Sequence, residues 1–196
     1  MQKLTFGDRN EGIVAVAEEP VRTLDIFEEK VCLESADLHP PLIAVLERIE
    51  KPGNLGALFR SADGAGIDGM MIADSLVDPF HSNAIRNSMG TVFSMPMVSV
   101  SSAILCRWLQ NKKFQIAAAK CGGKTKPYTA IDFCQPTAIV LGSEAEGLTD
   151  IWNGKGMTSV TIPMLGIADS LNVSVAAGIL FYEARRQRGR LTYNNS

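Results

Sequence analysis

The sequence has little of what would make a metal or disulfide framework. Its four cysteines, Cys32, Cys106, Cys121 and Cys134, contain no C-x-x-C pair, and its two histidines, His39 and His81, are not spaced to complete a zinc set. A zinc-stapled module is excluded, no metal is expected, and the cysteines read as reduced thiols of a reducing compartment. No apolar run approaches the roughly 20 residues that cross a bilayer. The opening MQKLTFGDRNEG is polar, so no signal peptide is expected, and the protein reads as cytoplasmic with no membrane partner. Excess positive charge is also missing: 19 Lys and Arg stand against 21 Asp and Glu, for a net charge of −2. A broad basic nucleic-acid footprint is therefore absent. Two local clusters remain, Lys120, Lys124 and Lys126, and Arg185, Arg186, Arg188 and Arg190. Each alone reads as a solvated face or a helix end; on one face, or meeting across a dimer, they would grip phosphates. Internal repeats and low-complexity segments are absent too.

What is present is the composition of a globular domain, with 46% hydrophobic and 20% charged residues in a chain of 196. That length builds one domain with a short appendage and buries a core without staples. Short apolar runs alternate with helical patterns. Strands are expected at 12–19, 41–49, 67–74, 114–120, 136–142 and 159–164, with a further strand or extended segment at 92–100. Helices are expected at 54–66, 81–90, 102–113 and 171–188, and a helix or linker at 23–33. The alternation predicts an α/β fold, a mostly parallel sheet with helices on both faces. The strands are continuous apolar runs, as in a sheet covered on both sides. The polar ESADLHPP, 34–41, reads as a linker.

In open α/β sheets, ligands bind beyond the carboxyl ends of the strands. Three loops there have unusual composition. In IEKPGNLGALFRSADGAG, 49–66, Pro52 and Gly53 turn the chain, Asn54 stands where a helix N-cap belongs, Gly56 permits close backbone approach, and Arg60 is available to an anion. In IVLGSEAEGLTD, 139–150, a strand ends at Gly142, and the loop carries Glu144 and Glu146 and closes at Gly147. Glycines at both ends let backbone lie against a ligand. In VTIPMLGIADSLNVSVAAGILFYEARRQR, 160–188, Pro163 ends a strand, and Ser170 and Asn172 precede a helix of small residues. Each loop alone is also explained as capping, surface charge or core packing.

Together, in this order and spacing, PGNLGALFRSADGAGIDGMMI, IVLGSEAEGL and IPMLGIADSLNVSVAAGILFYE resemble motifs 1, 2 and 3 of the SpoU (TrmH-type) RNA 2′-O-ribose methyltransferases of the SPOUT superfamily. The resemblance runs from about Pro41 to Arg188. It implies a SPOUT fold with a C-terminal deep trefoil knot, a homodimer, an RNA partner (rRNA or tRNA), and S-adenosyl-L-methionine (AdoMet) as methyl donor. It implies catalytic roles for Arg60, Asn54, Glu144, Ser170 and Asn172. It implies cofactor contacts from Ala118, Ala119 and Lys120; from Leu141, Gly142, Ser143, Glu144 and Gly147; from Ile162 and Met164; and from Leu171, Asn172, Val173, Ser174 and Ala176. Residues 39–196 would form the catalytic domain. Residues 1–38 would be a linker and the remnant of the ribosomal-protein-like RNA-recognition domain that many relatives carry. The family proposes Arg60 as activator of the 2′-hydroxyl. A guanidinium is a poor base, so holding phosphate or stabilising alkoxide charge suits it better.

Three rival readings carry less. AKCGGKT, 119–125, resembles the end of a phosphate-binding P-loop, but Ala118 stands where the first glycine is needed and Pro127 interrupts the following helix. A dinucleotide-binding oxidoreductase lacks its G-x-G-x-x-G fingerprint. A catalytically weak AdoMet- and RNA-binding dimeric module would keep the fold, but would not need the five polar motif residues.

Overall fold

A computed structural model describes residues 16–33 and 39–189. Seven strands form one sheet: β1 (Leu42–Glu47), β2 (Gly69–Ala73), β3 (Met97–Val100), β4 (Gln115–Ala119), β5 (Lys126–Pro127), β6 (Thr137–Leu141) and β7 (Met157–Thr161). Their order is β3-β2-β1-β6-β4-β7-β5, and every pairing is parallel. The described residues also form six α-helices, α2 to α5 lying between strands: α1 (Leu24–Glu28), α2 (Pro52–Gly64), α3 (Ser82–Ser88), α4 (Thr91–Ser94), α5 (Ser102–Asn111) and α6 (Val173–Gln187). The expected architecture, a parallel sheet covered on both faces, is the observed one. Among the described residues, no helix is long and apolar enough to cross a membrane.

Alternation along each strand divides the core. Leu42, Ala44 and Leu46 of β1 face a cluster with Leu55, Leu58, Phe59 and Ala62 of α2 and Ala177, Leu180, Phe181 and Ala184 of α6. Ile43 and Val45 face the other cluster, with Phe27, Leu105, Trp108, Leu109 and Trp152. Both sets are buried, which is why the strands read as unbroken apolar runs. The end of α6 is tied beneath the sheet: the Arg188 guanidinium donates to the carbonyls of Pro40, Phe133 and Gln135, at the entries to β1 and β6.

Several local expectations are corrected. Residues 16–19, the described part of the strand expected at 12–19, take no regular structure, and Val16 is exposed; residues 12–15 lie outside the described residues. Helix α2 starts at Pro52, with Lys51 as N-cap, so Asn54 sits inside the first turn and is not the cap. Proline is favoured at that first position because its missing N–H has no helical partner anyway. Gly56 does serve close backbone approach, but to α3: a Cβ there would lie 2.4 Å from the Ala84 carbonyl oxygen. The segment 92–100 divides into the end of α4 and strand β3. After β4, residues 121–124 bend into β5 and open no helix, so the P-loop reading fails on geometry. The two cationic clusters lie on different elements, Lys120 to Lys126 flanking β4 and β5, and Arg185 to Arg188 ending α6; Arg190 lies outside the described residues.

Candidate active site

Strands β1 and β6 are neighbours at the centre of the sheet, and Leu46 stands opposite Leu141, so the chain leaves both strands at one level. From β1 the connections run outward to β2 and β3; β4 and β7 lie on the other side of β6. This is a topological switch point, where an open α/β sheet leaves a crevice. A cavity of about 180 Å³ occupies it, lined by Ile49, Glu50, Lys51, Asn54, Ser143, Glu144, Ala145 and Val173.

Three segments meet there. The loop after β6 is a tight turn: Gly147 donates its N–H to the Ser143 carbonyl at 3.1 Å, and the Ser143 hydroxyl accepts from the Glu146 N–H at 3.0 Å. Gly147 takes a left-handed φ of 68°, and a Cβ on Gly142 would lie 2.4 Å from Gly147 backbone, so both glycines are required. From the third motif, Asn172 caps α6. Its Oδ1 accepts from the Ser174 N–H at 2.9 Å and from the Ser174 hydroxyl at 2.6 Å. These contacts fix the amide, so its Nδ2 donates to Glu144 Oε1 at 2.7 Å and to Asn54 Oδ1 at 3.3 Å. One residue from each motif thus forms a single hydrogen-bonded group.

Lys51 adds a cation, with Nζ 2.6 Å from Glu144 Oε2. The Lys51 ammonium, with help from Asn54 and the Val173 N–H, holds the Glu144 carboxyl below its ordinary range, and Glu144 raises Lys51 in return. Glu144 is therefore a carboxylate at neutral pH. Beside it Arg48, at a left-handed φ of 53°, pairs with Glu146 at 2.8 Å. Both pairs face water, where such contacts contribute little stability, so their effect is on orientation.

The remaining expected residues are placed less closely. Arg60 lies on exposed surface of α2, a turn and a half beyond Asn54, and makes no hydrogen bond or ion pair with any described residue. Ser170 is exposed, in the irregular stretch between β7 and α6. Leu141 and Ala118 are buried in the sheet, so only their backbone is available to a ligand. Ala119 ends β4, and the Lys120 ammonium is engaged by Asn153. Gly142, Ile162, Met164, Ser174 and Ala176 are partly exposed around the loop mouths. The sequence reading missed Lys51 and Arg48, which look like ordinary surface cations until the loops are brought together. It also missed Glu47; the signal was a carboxyl at a position whose parity, shared with Ile43 and Val45, places it inside.

Comparison with known proteins finds relatives across most of the chain. The model of the SpoU rRNA Methylase family matches residues 41–182. A 23S rRNA (uridine(2479)-2'-O)-methyltransferase of Streptomyces viridochromogenes is 32% identical over 194 residues, covering 94% of this chain and 64% of its own length. A 23S rRNA (guanosine-2'-O-)-methyltransferase RlmB of Ralstonia nicotianae is 34% identical, covering 92% of this chain and 71% of its own. The SpoU methyltransferase AviRb of Streptomyces viridochromogenes, solved with the cofactor AdoMet, superposes with a TM-score of 0.77 at 31% identity, over 88% of this chain and 64% of that one. The chain thus spans about two thirds of the length of these relatives. With three motifs joined at one switch point and a family match across most of its length, the chain belongs to the SpoU rRNA methylase family.

Proposed function

We propose that the chain is an AdoMet-dependent RNA methyltransferase that modifies a ribose 2′-hydroxyl in rRNA or tRNA in the cytoplasm. The observation that carries the reading is the joined group of Asn54, Glu144 and Asn172, drawn from three distant parts of the chain to the crevice where such sheets bind ligands. The named activities of the relatives, and the AdoMet-bound state of AviRb, support the same reaction class.

The residues present fit AdoMet. The tight turn 142–147 offers backbone donors and acceptors, and the irregular stretch beside it holds Leu165 and Ile167 almost fully in water and Leu171 partly so. Such uncovered apolar surface beside a polar turn suits an adenosine, with its flat apolar ring and polar edge. Bound AdoMet supplies an activated methyl group. The chain must then orient the acceptor and manage one proton. Asn172 and Lys51 hold the Glu144 carboxylate in one orientation at the mouth of the crevice. Arg60, exposed and without a partner among the described residues, is free to hold an RNA phosphate or to stabilise developing charge on the 2′-oxygen. Being a permanent cation, it acts as a donor and not as the base. Ser170 would close the acceptor side once RNA is bound.

The assembly reading is a homodimer. It is supported by the outer face of α6, where Val175, Gly178 and Tyr182 share one stripe at helical spacing and the two large residues are about half exposed. The family's trefoil knot belongs to the same reading: the stretch 162–172 returns to the β1–β6 crevice before α6 begins. Within 1–38, the family reading assigns a linker and recognition-domain remnant, and 39–196 is the catalytic domain.

Replacing Arg60 tests the assignment. Arg60→Ala should lower methyl transfer to the substrate RNA by about 100-fold or more, the loss seen when one charge-stabilising donor is removed, while AdoMet affinity changes little. Near wild-type turnover would remove Arg60 from the mechanism.

A further inference from the structure

A fully buried carboxyl lies directly behind the candidate site and has no part in the chemistry above. Glu47 is the last residue of β1 and is 0% exposed. Its Oε1 accepts from the Thr149 hydroxyl at 2.7 Å and the Trp152 indole N–H at 2.7 Å, and lies 2.8 Å from the Ser102 hydroxyl, whose single proton it shares with Asp74 Oδ2 at 2.5 Å. Its Oε2 accepts from the Thr149 backbone N–H at 2.8 Å. An unpaired polar group at that depth would be costly, so each donor is held firmly.

The donors identify what is being held. Two of the four come from Thr149, which ends the loop leaving β6, and a third from Trp152 in the helical turn that follows. The residues after Glu47 reach the same loop nearer its tip: Arg48 to Glu146 and Lys51 to Glu144. The segment 47–51 is thereby laced to 144–149 at three levels. The outer two contacts are exposed ion pairs with which water competes. Of the three contacts, only Glu47–Thr149 has a fully buried partner, Glu47.

We propose that Glu47 is a positioning residue for cofactor binding: by anchoring Thr149 it fixes the far end of the turn 142–147. The ordering of that turn is then completed on folding and does not oppose ligand binding. The inference rests on the methyltransferase reading, since it assigns AdoMet as the ligand of that turn. Glu47 touches neither substrate nor cofactor and acts only through the loop.

Thr149→Val tests it in the full chain. It removes the hydroxyl donor at nearly constant volume and keeps the backbone N–H on Oε2. Glu47→Gln is less informative, because its amide would confront the Thr149 and Trp152 donors and weaken the sheet itself. Two readouts are taken well below the unfolding midpoint: AdoMet affinity by calorimetry, and amide hydrogen exchange of 143–148 against that of β1 and β6. Thr149→Val should weaken AdoMet binding by roughly 5- to 10-fold and speed exchange in the loop alone. Thr149→Ser, which restores the hydroxyl, should return both to wild type. If wild type binds AdoMet and Thr149→Val binds it equally well, or if exchange quickens evenly through the sheet, Glu47 is a structural residue and the inference is overturned. If wild type binds no AdoMet, the methyltransferase reading falls instead. The exchange arm then still decides whether Glu47 holds the loop: acceleration confined to 143–148 upholds the hold, and its absence refutes it.

Discussion

Asn172 carries two separable duties. Its carbonyl oxygen caps α6 through Ser174, and its amide nitrogen joins Glu144 to Asn54. Asn172→Ala loses both and should cost about 1 kcal/mol of stability from the cap alone. Asn172→Asp keeps a capping oxygen but sets a second carboxylate 2.7 Å from Glu144, where a donor stood. The aspartate variant should retain helical content by circular dichroism yet lose at least about tenfold in methyl transfer, as expected when a charged group loses its hydrogen-bond partner and meets a like charge. An aspartate variant with full activity would show that the amide bridge is dispensable. At this scale the site was partly legible. Asn54, Glu144 and Asn172 stand out as polar residues in three loops at strand ends, but it was the resemblance to the SpoU motifs that named them as one site. Lys51, Arg48 and Glu47 were not named, because a lysine, an arginine and a strand-end glutamate carry no local mark of the loop that meets them 93 to 102 residues later in the chain.

Elements were read with more success, since they answer to local pattern. Strands β1, β2, β4, β6 and β7 and helices α2, α5 and α6 announce themselves through apolar runs and helical spacing, because burial on both faces of a parallel sheet leaves that trace. The short α4 and β5 do not: a four-residue helix and a two-residue strand are set by their neighbours. The start of α2 was misplaced for a physical reason. A capping-type Asn drew attention from Pro52, which opens the helix through its fixed φ. The packing of α2 on α3 makes its own prediction. Gly56→Ala would place a Cβ 2.4 Å from the Ala84 carbonyl oxygen and 2.9 Å from the Ser88 backbone nitrogen, contacts with backbone that cannot turn aside. The helices must separate, at a cost of about 1–3 kcal/mol. Denaturant unfolding of the variant checks this; an unchanged midpoint would mean that the helices shift freely.

For the whole molecule, acid is the instructive condition. The carboxyls of Glu28, Glu144 and Glu183 all lie below the ordinary value of 4.5, chiefly through hydrogen bonds from Lys112, Lys51 and Arg186 respectively. A carboxyl depressed by folding stabilises the native state above its unfolded value, and that contribution is lost as pH falls through the folded value. Stability measured by thermal unfolding should therefore be flat with respect to these groups from pH 6 to 9 and decline below about 4.5. A decline beginning near pH 6 would point to other groups. What no local pattern revealed is how distant segments converge. Strand order puts β6 between β1 and β4, and only that order brings 47–54, 142–149 and 172–174 together. The most direct measurement of the central claim is a map of ribose methylation in cellular RNA with the gene present, deleted, and restored as wild type or Arg60→Ala. The account predicts a discrete 2′-O-methyl that disappears on deletion, returns with wild type and stays absent with the variant. A ribose map unchanged by deletion, or a lost methyl group that proves to sit on a base, would contradict it.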